Sequence, residues 1–307
     1  MRLLARRLLY VSVTCTRWLL CARWLLRRRR DAIRSSVGSC WRTTARDASI
    51  VLFCTLVVMP LSAHAQAGPP FLTNDPGTPG HGNWEVNLGS AATGSAGVQA
   101  YQVPQIDANL GLGERIQLTL EIPFVAQSNG NQPAHSGWSN AYPGIKLRFL
   151  DHGEDGWRAS VFPQYETGAP SAARQSGIAS DGHRLLLPVQ AARRFGPVDV
   201  DVEVGCFCFG REPRERIIGA VVGREISSGL ELDLEIYDDH AAGGGPAFTS
   251  INVGGRYQMA PSAILLFMGG HSVGGITAGS TEYMAYLGVQ ILLTHFGRSL
   301  ASGSKHE

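Results

Sequence analysis

The chain has 307 residues, of which only 17% are charged and 37 are glycine. Its formal net charge of +2 hides a segregation: residues 1–65 hold 12 of the 27 basic side chains and only Asp31 and Asp47 of the 25 acids, so residues 66–307 carry 15 basic and 23 acidic groups, a net charge of −8. An acidic main body lacks the basic face that nucleic acid requires, so no nucleic-acid partner is expected.

Residues 1–41 are rich in Arg, Leu and Trp and include the run Arg27–Arg30. They read either as a basic segment for a membrane surface or nucleic acid, or as an over-long upstream start; the absence of any periodic pattern favours the second. Residues 50–63, IVLFCTLVVMPLSA, are the most apolar run, too short for a spanning helix of ~20 residues. Arg42 and Arg46 precede the run and Ala63-His64-Ala65 follows it. Basic flank, apolar centre and small-residue site make a secretory signal peptide with cleavage expected after Ala65. Cys15, Cys21, Cys40 and Cys54 precede that site, which leaves Cys206 and Cys208. Their spacing puts both on one face of a strand, where a disulfide is geometrically poor and two thiols alone make a weak metal site.

Residues 66–82 are rich in proline and glycine and are expected to be extended or looped. From residue 83 twelve strand-like segments follow, approximately 83–92, 101–112, 115–127, 140–150, 157–167, 183–194, 198–209, 215–226, 230–240, 247–258, 262–273 and 282–294. The stretch Leu110–Phe124 shows the pattern best: Ile116, Leu118, Leu120, Ile122 and Phe124 alternate with Gln117, Thr119, Glu121 and Pro123. The same period of two returns in Val198–Val204 and Leu230–Tyr237, with Asp or Glu at every second position. Such a strand has its charged face in water, either outside a soluble sheet or inside a membrane barrel.

The connections decide between the two. Those after strands two, four, six, eight and ten are mostly short turns, whereas the alternate ones are mostly longer and rich in Gly, Ser, Ala and Pro. Short turns at one end and long loops at the other are the layout of an outer-membrane barrel with both termini on the periplasmic side. The expected fold is therefore all-β: an antiparallel up-and-down transmembrane β-barrel of about twelve strands after a cleaved signal peptide. The expected organisation is an extension plus signal peptide at 1–65, a Pro/Gly-rich segment at 66–82, a bacterial outer-membrane barrel at 83–296 and a tail at 297–307. Trp84, Trp157, Tyr165, Tyr257, Tyr283 and Phe296 fall near strand ends, where aromatic girdles sit. In Ile217–Gly223 and Ile264–Gly270 both faces are apolar or glycine, so the lumen is expected to be partly apolar there.

The segment Pro69–Glu85, PPFLTNDPGTPGHGNWE, carries Phe71, Thr73, Asp75, Pro76, Trp84 and Glu85 in an arrangement that, with Leu110–Phe124 and Ile145–Phe149, resembles the outer-membrane proteins associated with the meta-pathway of phenol degradation. That family opens on a proline-rich F-x-T-D-D-P stretch; here Asn74 replaces the first Asp. The resemblance covers most of residues 68–296. It implies a barrel and uptake of small, including aromatic, compounds, and it carries no catalytic residues to transfer.

The inward-facing polar residues are Glu85, Asp107, Gln117, Glu121, Lys146, Arg148, Arg158, Glu166, Asp199, Asp201, Glu203, Glu231, Asp233, Glu235, Arg256 and Gln258. Charges in a barrel interior must pair or stay wet. Two arrangements meet that demand: a water-filled path that prefers cations, or an ion-pair network in which Lys146, Arg148, Arg158 and Arg256 neutralise the acids and close the path. The Pro/Gly-rich segment is a candidate partial plug. Passage of a small solute is the first functional reading, with outer-membrane lipid as the other partner, and a non-conducting structural or surface barrel is the second. A lipid hydrolase is third: neighbouring strand residues such as His271 and Ser272 point to opposite faces and cannot act together, and no G-x-S-x-G, H-E-x-x-H or phosphate loop occurs. No cofactor or metal site is expected; Asp238, Asp239 and His240 read as solvated strand-end residues.

Overall fold

Alternation of apolar and polar side chains along a strand makes a sheet with one dry and one wet face, and such a sheet in lipid must close on itself to pair every backbone group. The computed structural model describes residues 69–294 except 96, 129–133, 154, 211–213, 244, 246 and 275–279. The signal peptide, the 1–41 extension, Phe296 and the 297–307 tail lie outside the described residues. The strand segments are β1 (Trp84–Ser95), β2 (Val98–Leu112), β3 (Ile116–Ser128), β4 (His135–Trp138), β5 (Tyr142–Asp151), β6 (Arg158–Val161), β7 (Gln164–Glu166), β8 (Arg184–Leu186), β9 (Val189–Phe195), β10 (Val198–Phe209), β11 (Glu215–Ser227), β12 (Leu230–Ala241), β13 (Ala247–Ala260), β14 (Ala263–Gly274) and β15 (Tyr283–Leu293). A short helix, α1 (Ser171–Gln175), lies in the loop between β7 and β8.

All pairings are antiparallel, and β1 joins β15 in register from Trp84–Leu293 to Gly94–Tyr283, which closes the sheet. Segments β4 and β5 both pair with β3, β6 and β7 both with β5, and β8 and β9 both with β10. Each of these couples is one interrupted strand, so the closed barrel has twelve strands. Pro163 and Pro188 sit at two of the interruptions. A proline cannot donate to the ladder, but its carbonyl still accepts: Ile145 N donates to Pro163 O at 3.0 Å and Phe162 N to Pro188 O at 3.0 Å. At the third interruption Asn140 turns inward. Its Nδ2 donates to Thr167 O at 2.6 Å and its Oδ1 accepts from Ser180 N at 2.9 Å, which ties the α1 loop to the wall.

Sides are as the period of two predicts. Gln117 and Thr119 are 6% and 8% exposed, while Leu118 and Leu120 are 40% and 43% exposed. Ile145, Leu147, Val202, Val204, Leu232, Leu234, Val253 and Leu287 continue the outward apolar belt. Aromatic side chains rim the belt: Tyr101, Trp138, Tyr165, Phe209 and Tyr283 at the long-loop end, Phe149, Trp157, Phe195 and Tyr257 at the short-turn end. The Trp157 and Phe195 rings meet edge to face at 6.5 Å, with the Arg193 guanidinium over both.

The cysteine reading is corrected. Cys206 and Cys208 form a disulfide, with Cα atoms 5.1 Å apart. A regular strand would hold residues i and i+2 about 6.8 Å apart. The β10–β8 register shifts between Phe207 and Phe209, and this irregularity accompanies the shorter separation.

Candidate functional site

Four prolines in Pro69–Gly82 (69, 70, 76 and 79) deny that segment a regular hydrogen-bond ladder, so its backbone groups must find partners elsewhere. They find them on the inner wall. Thr73 N donates to Glu235 Oε1 at 2.6 Å, and Asn74 N donates to Glu203 Oε2 at 2.7 Å. Lys146 Nζ donates to Asp75 O at 2.8 Å and lies 3.7 Å from Asp75 Oδ1. Arg256 donates an Nη to Pro69 O at 3.1 Å. The segment therefore runs inside the barrel. Hydrogen bonds to charged groups are each worth roughly 1.5–3 kcal/mol net.

The apolar part of the lumen is the seat for Phe71. Its ring, 5% exposed, packs in a cluster with Val221, Leu266, Met268, Met284 and Tyr286. These residues come from β11, β14 and β15, and two of those strands are the ones whose both faces read as apolar or glycine. Gly219 of β11 has the same origin: a Cβ there would collide with the Thr73 side chain. The inner wall is thus cut to fit one segment.

The remaining predicted residues divide into groups. Glu121 accepts from Gln105 Nε2 at 2.7 Å; Asp107 accepts from Asn87 Nδ2 at 2.9 Å and Asn109 Nδ2 at 3.0 Å; Gln117 donates to Asn109 Oδ1 at 2.7 Å. Gln105, Asp107, Asn109, Gln117 and Glu121, with Glu85, Thr119 and Lys146, line a polar cavity of about 200 Å³ beside the segment. Arg148 lies at the short-turn rim, where it donates to Glu114 O and stands 3.3 Å from Asp151. Gln258 is also at that rim, where its backbone N donates to Gly229 O at 2.7 Å. Glu166 belongs to the long-loop end, held by Arg184 Nε at 2.5 Å, and Arg184 also reaches Glu215 at 2.9 Å. Asp199, Asp201, Glu231 and Asp233 gather on the β10–β12 side toward the short-turn end, all less than 10% exposed.

The six acids on β10 and β12 are not all met in the same way. Glu203 and Glu235 are occupied by backbone N–H groups of the inserted segment, and Lys146 pairs with Asp75 of that segment. Asp199 is neutralised by Arg194, whose Nε and Nη2 both reach it at 3.0 Å. Arg194 was not among the expected residues, yet the Gly196-Pro197 turn sets Asp199 directly opposite it. Gln190 and Asn252 were missed as well. They donate to Glu203 at 3.0 Å and Glu235 at 2.7 Å, and as neutral residues they carry no charge signal in the sequence.

On the segment's other side an apolar cavity of about 180 Å³ is lined by Pro70, Phe71, Leu72, Phe248, Met268, Met284 and Tyr286. The hydrolase residues do not assemble. His271 Nδ1 contacts the Ser272 backbone O at 2.6 Å, while Ser272 Oγ donates to Thr281 O at 2.5 Å. His240 Nδ1 is 3.2 Å from Asp238 Oδ2, and Arg216 stands 3.6 Å from the same carboxylate.

No protein-family model matches the chain, and no curated protein sequence matches it. Its fold is similar to solved barrels. An outer membrane channel from Pseudomonas putida F1 aligns with a TM-score of 0.54 and 13% identity over 71% of this chain and 98% of that one. The NanC porin aligns with a TM-score of 0.48 and the KdgM porin with 0.47, each at 7% identity over 67% of this chain and 98% of the other. At these identities the likeness is one of fold.

Proposed function

We propose that this chain is an outer-membrane channel for small solutes, apolar and aromatic ones included, narrowed by its own segment Pro69–Gly82. The observation that carries the reading is the lumen itself. It lies inside a closed barrel with a lipid-compatible belt and retains two cavities beside the inserted segment, one polar and one apolar. An amphipathic solute finds a partner surface in each. The resemblance to the phenol meta-pathway proteins supports an aromatic solute, and the fold of the Pseudomonas channel agrees with a conducting barrel. The chain binds no cofactor in this reading and carries out no catalysis.

Single-channel recording in planar bilayers tests it. The purified protein is expected to show a small conductance in potassium chloride, reduced by phenol in a concentration-dependent way. Phe71→Ala is expected to raise the conductance. The second reading, a non-conducting structural barrel, is favoured by the burial of Phe71 and Thr73. A folded barrel with no conductance before or after Phe71→Ala would establish it.

A further inference from the structure

At the short-turn end, the hairpin turns after β9 and β11 frame a cavity of about 320 Å³ lined by Arg194, Asp199, Glu225, Ser227, Ser228 and Glu231. Glu231 is 4% exposed, and no N–H or hydroxyl donor reaches either of its carboxylate oxygens; the polar side chain within hydrogen-bond reach is another carboxyl group, Asp233. Asp233 Oδ2 and Asp201 Oδ1 are likewise buried without a donor. Three bases face this group. Arg194 is held by Asp199, Arg256 stands opposite Glu231 in the β12–β13 register and also serves Pro69 O, and Arg158 lies toward Asp201. Counted formally, four carboxyl groups face three guanidiniums, before Glu225 at the rim is counted. A buried carboxylate without a donor is expensive, and a bound cation is the direct way to complete it.

We propose that this mouth is a binding site for the primary ammonium group of a small organic cation, with Glu231 as its principal acceptor. Two observations select an organic ammonium over a metal ion. Among the described residues no three His, Cys, Asp or Glu side chains converge as a metal donor set. The cavity also holds far more than a bare ion, since a water molecule takes only about 30 Å³ of liquid. The Ser227 and Ser228 residues on its wall add hydroxyl partners for a donor with three N–H bonds. The inference rests on the channel reading only for how the ligand arrives, because binding is measured at equilibrium.

Titration calorimetry of the full chain in detergent, with propylammonium as probe and 1-propanol as its neutral counterpart, tests the site. Saturable binding of propylammonium and none of 1-propanol is expected, weakened about tenfold or more by Glu231→Gln. Ser228→Ala is expected to weaken it severalfold in a barrel whose heat-shifted gel mobility shows that it is folded. Equal binding by the native protein and a folded Glu231→Gln variant would overturn the proposal. So would absence of binding, which would leave Glu231 and Asp233 sharing a proton, or competition by magnesium at lower concentration than propylammonium. Propylammonium binding by a barrel that shows no conductance would support the site and overturn only the channel reading.

Discussion

Leu120 and Thr119 are neighbours in sequence and face opposite media. Leu120 belongs to the outward belt, whereas Thr119 Oγ1 donates to Asn109 Oδ1 at 2.6 Å in the lumen. Leu120→Arg puts a cation against hydrocarbon near the middle of β3 and is expected to lower stability by roughly 2–4 kcal/mol in urea unfolding from lipid vesicles. Thr119→Val removes two hydrogen bonds, the one donated to Asn109 and one accepted from Gln117 Nε2 at 2.9 Å, but leaves Gln117 and Asn109 bonded to each other, and is expected to lower it by about 1 kcal/mol. Equal losses would refute the assignment of sides. The sides were legible because a period of two needs only local information. The partners were not: Thr73 and Glu235 lie 162 residues apart, and nothing in either stretch announces the other. The two glycine-rich apolar strands held the one usable sign, a wall with room for something else.

At the scale of the element, Pro69–Gly82 is held by acidic and basic side chains of the wall as much as by Phe71. Glu203→Gln and Glu235→Gln keep an acceptor oxygen but remove the charge, and a neutral hydrogen bond is about half as strong as a charge-assisted one. The double variant is therefore expected to release the segment more often while the wall stays closed. A spin label at Leu72, which is 37% exposed, should report faster motion in the double variant than in the native protein. Unchanged motion would mean that Phe71 packing alone seats the segment. The strands themselves were legible almost to their ends: Val198–Phe209 coincides with the expected 198–209. The interruptions within the fifth and sixth strands were not expected, because a proline in an alternating run reads as one more residue until its missing donor is placed in a ladder; the break at Asn140 has no proline and falls where the expected fourth strand begins.

The whole barrel is asymmetric in this respect. Pro104, Pro123, Pro143, Pro163 and Pro188 fall on consecutive strands from β2 to the β8–β9 couple, whereas β10 to β15 and β1 contain no proline. The proline-bearing half compensates with register shifts, redirected carbonyls and the tie to the α1 loop. The proline-free half includes the β1–β15 closure, where Val289 pairs with Leu88 on one side and Leu265 on the other. A proline there removes a donor flanked by two regular strands at membrane depth, where no water replaces the lost bond and each unsatisfied group costs several kcal/mol. Val289→Pro is therefore expected to abolish the heat-shifted gel mobility that marks a folded barrel and to reduce the β-type circular dichroism signal. Pro188→Val, in the half already adapted to a missing donor, is expected to leave both unchanged. Retention of the mobility shift by Val289→Pro would mean that closure at β1–β15 does not hold the barrel together.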